Sequence, residues 1–543
     1  MRARHFVLAF LIAISLASVT AAQQDPESFY WYHGQKIALK KSENLVAAKV
    51  LQSVDYQNKF PALSRLFQEV GSSALRDEPV LLQAEAVSKD MSMEALRPGV
   101  RTKEVYQLPV FEFDDAKLVL QNELIVGFKE DQTDPERAEE LLRRFSKTFA
   151  RQPGSDIRYL VRVPDPSRTL AWADILFRNK TVAYAEPNFV ILQPNRLILL
   201  DQRTEPVVRP ASPEPAAAGD AAVGTAFPSD SLFTRQWALT KISAPKAWAT
   251  THGANSIRIA ILDDGVDIGH PDLKDKIEKS YDMLFDSDVM NPPADDAHGT
   301  AVAGIAAAVT NNSLGIAGLA ADMRLIVIRM MSRVDSANES TARVLVSNAF
   351  EKAIELGADV INCSWTMAAP SDAVEAAIRA AATRGRNGQG ALVVFAAGNA
   401  GKEIAFPASL AKTLPIIAVG ASNEQDEFKT KSSSDGEDFW ASNYGPELTV
   451  VAPGVHITTT LHRGRGAQGA EPYIDTFNGT SSAAPLVSAL GALILSLEPT
   501  LKPEQVRQRM VSTADQVVKM PDAAHTVIGR INACRALGRA DCN

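Results

Sequence analysis

The chain has 543 residues, enough for about three or four domains. Its 46% hydrophobic and 22% charged residues are ordinary for a soluble globular protein. The formal net charge of −8 comes with no basic domain, which argues against nucleic acid as a partner.

The chain opens with Arg2, Arg4 and His5, followed by an apolar run from Phe6 to Val19. That run is shorter than the about 20 residues a membrane span needs, and Thr20-Ala21-Ala22 supplies small residues for cleavage. Residues 1–22 are therefore expected to be a signal peptide, with an uncleaved anchor as the alternative. The product is expected to be secreted or periplasmic, with no membrane span after signal removal. The next most apolar run, Leu486 to Leu497, reads as a buried helix.

Residues 23–110 form an N-terminal segment whose role the sequence leaves open. Its aromatic run Phe29-Tyr30-Trp31-Tyr32, with Lys36 to Leu39 after it, reads as a small β-rich start that serves core packing better than ligand binding. Residues 111–196 read as a compact α+β unit. Glu123–Phe128 and Leu160–Val163 are strand-like, Pro135–Phe149 and Leu170–Asn179 helical, and Val182–Asn188 closes the unit. Residues 197–230, interrupted by Pro206, Pro210, Pro213 and Pro215, are expected to be an exposed, cleavable linker.

Between residues 231 and 520, short apolar runs alternate with helical stretches. Ile257–Leu262, Leu325–Ile328, Val360–Cys363, Ala391–Phe395 and Pro415–Val419 are the strands; Ala342–Leu356 and Ala373–Thr383 are among the helices. This pattern predicts an α/β fold, a doubly wound, mostly parallel sheet flanked by helices, whose sites form at the C-terminal ends of strands. Residues 521–543 are expected to be a tail, in which Cys534 and Cys542 are near enough to close a small disulfide loop. Cys363 reads as a buried free thiol.

Four segments supply the chemistry of amide hydrolysis: a nucleophile, a base, an acid to orient the base, and a donor for the oxyanion. Ile261-Leu262-Asp263-Asp264-Gly265 delivers a carboxylate at a strand tip. Asp296-Ala297-His298-Gly299-Thr300 offers an imidazole at the start of a helix rich in small residues. Asn478-Gly479-Thr480-Ser481 places a hydroxyl at the start of a long apolar helix, where free N–H groups favour an oxyanion. Ala397-Gly398-Asn399 sets an amide at a strand end. Singly, each also reads as ordinary structure: a cap, a packed histidine, an N-cap serine, a turn asparagine.

Together, in the order Asp, His, Ser, the four motifs resemble those of the subtilisin-like serine proteases, or subtilases. The resemblance implies that Asp263 orients His298, that His298 is general base and then general acid, and that Ser481 attacks the carbonyl. Asn399 and the Ser481 backbone N–H would form the oxyanion hole. It implies protein or peptide substrates. The alternative is a catalytically silent binding scaffold of the same fold; a lipase is disfavoured because no Gly-x-Ser-x-Gly surrounds the nucleophile.

The Asp-Asp-Gly form, with Ser364-Trp365, is similar to the kexin and furin branch, yet Thr366-Met367-Ala368 follows with no acid before Asp372. Ser364, Trp365, Thr366, Ala405 and Asp264 are the expected substrate-binding residues, and uncharged Ala405 points to an apolar or broad preference. Residues 111–196 resemble a subtilase propeptide, which implies an intramolecular chaperone and inhibitor. Asn311 to Gly318 and His270-Pro271-Asp272-Leu273 resemble the subtilase calcium loop and its carboxylate segment. This implies structural calcium held by Asp272, Asn312, Thr310, Leu314 and Ile316, with Gln236 as a further candidate; a plain Asn-rich turn is the other reading of the loop.

Overall fold

The computed structural model describes residues 28–50, 80–83, 105–194, 227–333, 338–465, 472–520 and 527–542. The expected signal peptide and nearly all of the linker lie outside these residues.

The apolar runs become strands buried on both faces. Along Arg258–Asp263, Ile259 and Ile261 enter one core while Ala260 and Leu262 enter the other. Among the described residues nine strands form the main sheet, in the order Ile277–Asp282, Arg324–Arg329, Arg258–Asp263, Val360–Cys363, Leu392–Ala396, Ile417–Ser422, Val450–Pro453, Ile528–Arg530, Asp515–Val518. Neighbours are parallel except the final pair. Helices His298–Ala307 and Thr480–Leu497 cover one face; Arg343–Leu356 and Asp372–Gly388 cover the other. Thr480–Leu497 is long and apolar enough to cross a membrane, and it is the buried core helix. From Arg258–Asp263 the chain builds two strands on one side, then continues on the other. The C-terminal end of that strand is thus a topological switch point, where a crevice opens.

The expected tail requires correction. Ile528–Arg530 is a strand of the main sheet, and Ile531, Ala533 and Ala536 fill the core beneath it, because these apolar side chains have no other place to be buried. Cys534 and Cys542 are disulfide-bonded, and Cys363 is a buried free thiol.

A second sheet precedes this domain. Its long strand Ala116–Phe128 lies between Val105–Phe113 and Val182–Pro194, with Arg158–Arg162 pairing to its second half. Helices Pro135–Arg143 and Thr169–Phe177 cover it, burying Leu124, Leu142, Tyr159 and Leu176. The boundary expected at residue 110 falls inside the strand Val105–Phe113, and Lys40–Val50 pairs with that strand, so part of the N-terminal segment belongs to this layer. The helix expected to reach Phe149 stops at Arg143. Ser146 Oγ donates to the carbonyls of Thr148 and Arg162, turning the chain into the strand Phe149–Arg151.

This smaller unit rests on the N-termini of two helices of the large one. Helix Arg343–Leu356 has no side-chain cap of its own; Asn188 Oδ1 accepts from Val344 N at 3.2 Å. Glu186, wholly buried, accepts from Ser371 Oγ at 2.6 Å and Ala373 N at 3.0 Å, and its other oxygen pairs with buried Arg343 at 3.2 Å. Oxygens at helix N-termini satisfy free N–H groups and complement the helix dipole.

Asp372, in the first turn of its helix, is pushed up to about 7 by burial and then by nearby Glu186. Separation of the two units would solvate Asp372 and return it to the ordinary carboxylate range. The docked state therefore holds an extra proton. Its contribution is complete below that ordinary range and is lost as pH rises through about 7. In a full-length Ser481→Ala chain, amides of Val182–Pro194, corrected for intrinsic exchange, should exchange faster at about pH 8 than at about pH 6. Equal protection at both would contradict the linkage.

Candidate active site

Asp263 ends the strand Arg258–Asp263 at the switch point, and His298 begins the helix that packs across it. His298 Nδ1 lies 2.7 Å from Asp263 Oδ1, and both side chains are buried. Gly299 makes this approach possible, since a Cβ there would collide with the Gly265 carbonyl oxygen and crowd Asp263 Cβ. The helix has no side-chain cap from its own Ala297. Asp264 supplies one from the strand end, accepting from His298 N at 3.1 Å and Gly299 N at 2.7 Å. Burial pushes the Asp264 carboxyl well above its ordinary value, and neighbouring Asp263 and Asp296 add to this. Wholly buried Arg329 offsets part of the local negative charge. It donates to the Asp264 carbonyl at 3.1 Å, Asp282 at 3.1 Å and Asp296 at 2.7 Å.

Ser481 lies in the first turn of Thr480–Leu497. Pro485, four residues on, has no N–H to give to the Ser481 carbonyl. Ser364 Oγ takes that place at 2.9 Å, tying the helix of Ser481 to the segment after Val360–Cys363. In return, Ser481 Oγ donates to the Ser364 carbonyl at 2.8 Å. His298 Nε2 is buried and, among the described residues, has no hydrogen-bond partner. The hydroxyl thus needs a side-chain rotation to reach the imidazole, as catalytic hydrogen bonds often tighten only with substrate present.

Asn399 is held by its oxygen, which accepts from Thr480 N at 2.8 Å and Thr480 Oγ1 at 2.9 Å. That leaves Nδ2 to donate elsewhere. Gly479 has φ +111, and a Cβ there would meet this Nδ2 at 3.0 Å. Buried Asn443 fixes the asparagine loop, accepting from Ala400 N at 2.9 Å and donating to the Ala397 carbonyl at 3.2 Å.

One cleft is lined by Asp263, His298, Ser481 and Asn399, together with the expected substrate residues Ser364, Trp365, Thr366, Ala405 and Asp264. Two of these side chains are otherwise engaged. The Trp365 indole donates to the Leu262 carbonyl and packs edge-on against Phe395, and the Asp264 carboxylate is the helix cap just described. The smaller unit also enters the cleft. Gln193 donates to the Thr366 carbonyl at 2.8 Å and accepts from Ala368 N at 3.3 Å, while its strand pairs antiparallel with Asn338–Ala342. No motif spacing marks Gln193, Asn443 or Arg329 in the sequence, and Thr480 lies inside the Ser481 motif with no sign there that it holds Asn399. A polar residue near the end of the closing strand was the one available signal for Gln193.

The Asn-rich loop meets two carboxylates. Asp272 accepts from Asn312 Nδ2 at 2.7 Å and Ile316 N at 3.1 Å; Asp230 accepts from Asn311 N at 2.8 Å. Burial raises both carboxyls, and neither has a basic partner among the described residues. Thr310 Oγ1 accepts from Gly318 N, Asn312 Oδ1 accepts from Leu314 N, and Gln236 braces the loop through both its amide atoms on Ala317.

The subtilase family model matches residues 254–529, and a fervidolysin N-terminal prodomain model matches residues 115–188. The chain is 32% identical over 421 residues to a thermophilic serine proteinase of Bacillus sp. (strain AK1), covering 77% of this chain and 88% of that one. It is 31% identical over 358 residues to a calcium-dependent protease of Nostoc sp., covering 57% and 52%. Among solved structures, fervidolysin from Fervidobacterium pennivorans, a keratinolytic enzyme related to subtilisin, aligns with a TM-score of 0.58 at 21% identity, over 77% of this chain and 61% of that one. The chain belongs to the subtilase family of serine endopeptidases, and residues 115–188 are its prodomain.

The Asp264 cap yields a test. Asp264→Ala leaves two buried amides without acceptors, each costing about 1–3 kcal/mol, and frees the helix that carries His298. A misplaced imidazole should lower kcat about a hundredfold with KM little changed. Asp264→Asn, which keeps one acceptor oxygen, should recover part of the loss. A wild-type kcat in Asp264→Ala would remove the positioning role.

Proposed function

We propose that this chain is an exported endopeptidase, made as a precursor that its own active site processes. The observation that carries the reading is the 2.7 Å pair of Asp263 and His298, whose buried Nε2 has no partner among the described residues and lies in the cleft that Ser481 also lines. In the proposed reaction His298 Nε2 takes the Ser481 proton as Oγ attacks the scissile carbonyl. Asp263 holds the Nδ1 proton and stabilises the imidazolium. Asn399 Nδ2 and the Ser481 N–H donate to the tetrahedral oxygen, and the imidazolium then protonates the leaving amine.

The strand Val182–Pro194 enters the cleft and leads into the linker, which supports cleavage between about Pro194 and Ser229 and a prodomain that blocks substrate until it leaves. Ser481→Ala should lower turnover about a millionfold and keep residues 115–188 covalently attached. If Ser481→Ala expressed alone matures to the wild-type N-terminus, another protease does the cutting. If the wild type is active while uncut, residues 115–188 are a permanent domain.

We also propose that the Asn-rich loop binds calcium. Asp272, Asn312 and the carbonyls of Thr310, Leu314 and Ile316 would hold the ion, with Asp230 as a second carboxylate. An all-oxygen set with two unneutralised buried acids suits a hard divalent cation, which would supply charge balance and fix the loop. Binding to the folded state alone stabilises it by about 2.7 kcal/mol at a free calcium concentration about a hundred times Kd. A chelator should therefore lower the melting temperature, and Asp272→Asn should blunt that response. Melting curves that ignore the chelator in both proteins would refute the site.

A further inference from the structure

The hairpin made by Phe29–Tyr32 and Gln35–Ala38 lies outside the matched prodomain, yet it touches both units. Its turn is His33-Gly34, with φ of 48° and 72°, the two left-handed residues a tight hairpin needs. Strand alternation then sends neighbouring side chains to opposite partners. Trp31 faces the prodomain. It stacks on Phe177 with ring centroids 4.8 Å apart and donates its indole N–H to Asp174 at 3.0 Å. Tyr30 and Tyr32 face the catalytic domain. Tyr30 is fully buried, with Arg343 4.4 Å from its ring and its hydroxyl donating to the Pro370 carbonyl at 2.9 Å. The Tyr32 hydroxyl donates to Glu375 at 3.2 Å, and its ring meets Phe406 of the cleft wall edge-on at 6.1 Å. His33 Nε2 lies 2.6 Å from Glu375, and its backbone N–H donates to Asp372 at 3.3 Å.

We propose that this hairpin, outside the matched prodomain, is a clasp: after the linker is cut, it slows the departure of the severed prodomain from the catalytic domain. The proposal rests on the reading of the prodomain as an inhibitor. Three features carry it. The hairpin and prodomain lie on the same side of the linker, so one cut frees both together from the catalytic chain. The hairpin's grip on the catalytic domain adds aromatic burial, a cation–π contact and hydrogen bonds to the helix caps supplied by Glu186 and Asn188. Trp31 anchors it to the prodomain, so the two surfaces hold as one linked pair.

The test uses the full-length chain in three forms: wild type, Trp31→Ala and His33→Ala. Gels follow cleavage, and a chromogenic peptide follows activity. The wild type should show a lag between the cut and the appearance of activity. Both variants should be cut at the wild-type rate but become active sooner, with the lag of Trp31→Ala shortened about tenfold. Once fully processed, all three should share one kcat/KM, since the hairpin has left. A lag unchanged in both variants would overturn the clasp while leaving prodomain inhibition intact. A wild type active from the moment of cleavage would remove the inhibitory reading and the clasp with it. Should Trp31→Ala yield no folded chain, His33→Ala, altered only in the exposed turn, carries the test by the same comparison.

Discussion

A 2.7 Å hydrogen bond between Asp263 and His298 requires the first turn of a helix to lie directly on the end of a strand, and much of the surrounding structure serves that closeness. Strand end and helix start are both crowded with polar backbone groups. Bringing them together without water is stable only if each N–H finds an acceptor. Gly299 removes the side chain that would hold them apart, and Asp264 accepts the two amides that the approach would otherwise strand. That second carboxylate carries an electrostatic cost, because it sits beside Asp263 and Asp296. Arg329 enters from the neighbouring strand, in register with Asp263, to offset it. The Asp263–His298 pair thus depends on a cap, a glycine and a buried arginine.

Ser481 depends on a similar exchange of partners. Pro485 removes one helical hydrogen bond, Ser364 replaces it, and the replacement links the two segments that flank the cleft. On the oxyanion side, Thr480 holds Asn399 by its oxygen and Asn443 holds the loop behind it. His298, Ser481 and Asn399 are thereby each held by neighbouring residues, which is what preorganisation of a polar site demands.

The prodomain uses the same physics at a second place. Helix N-termini leave N–H groups free, and the strand Val182–Pro194 delivers Asn188 and Glu186 to two of them before Gln193 reaches the cleft. One strand thus satisfies two of the catalytic domain's helix ends and reaches its cleft through Gln193. Burying Glu186 against Arg343 is tolerable because the carboxylate has a partner for each oxygen.

The sequence by itself determined the alternation of strand and helix, the compact unit before it, and the segments bearing Asp263, His298, Asn399 and Ser481. These were legible because buried strands must be continuous apolar runs, and because catalytic groups sit at strand ends and helix starts that local pattern marks. Ile257–Leu262 and the small-residue helix after His298 are examples. Tertiary structure alone decided that Asp264, at the cleft, also caps a helix 34 residues away, and that the Trp365 indole is held by the Leu262 carbonyl. It also drew Ile528–Arg530 into the sheet, brought Asp230 to the Asn-rich loop and laid Phe29–Ala38 across two units. Each of these is a long-range pairing of a buried polar or aromatic group. Which partner satisfies such a group is set by the packing of elements distant in the chain, and no local pattern records it.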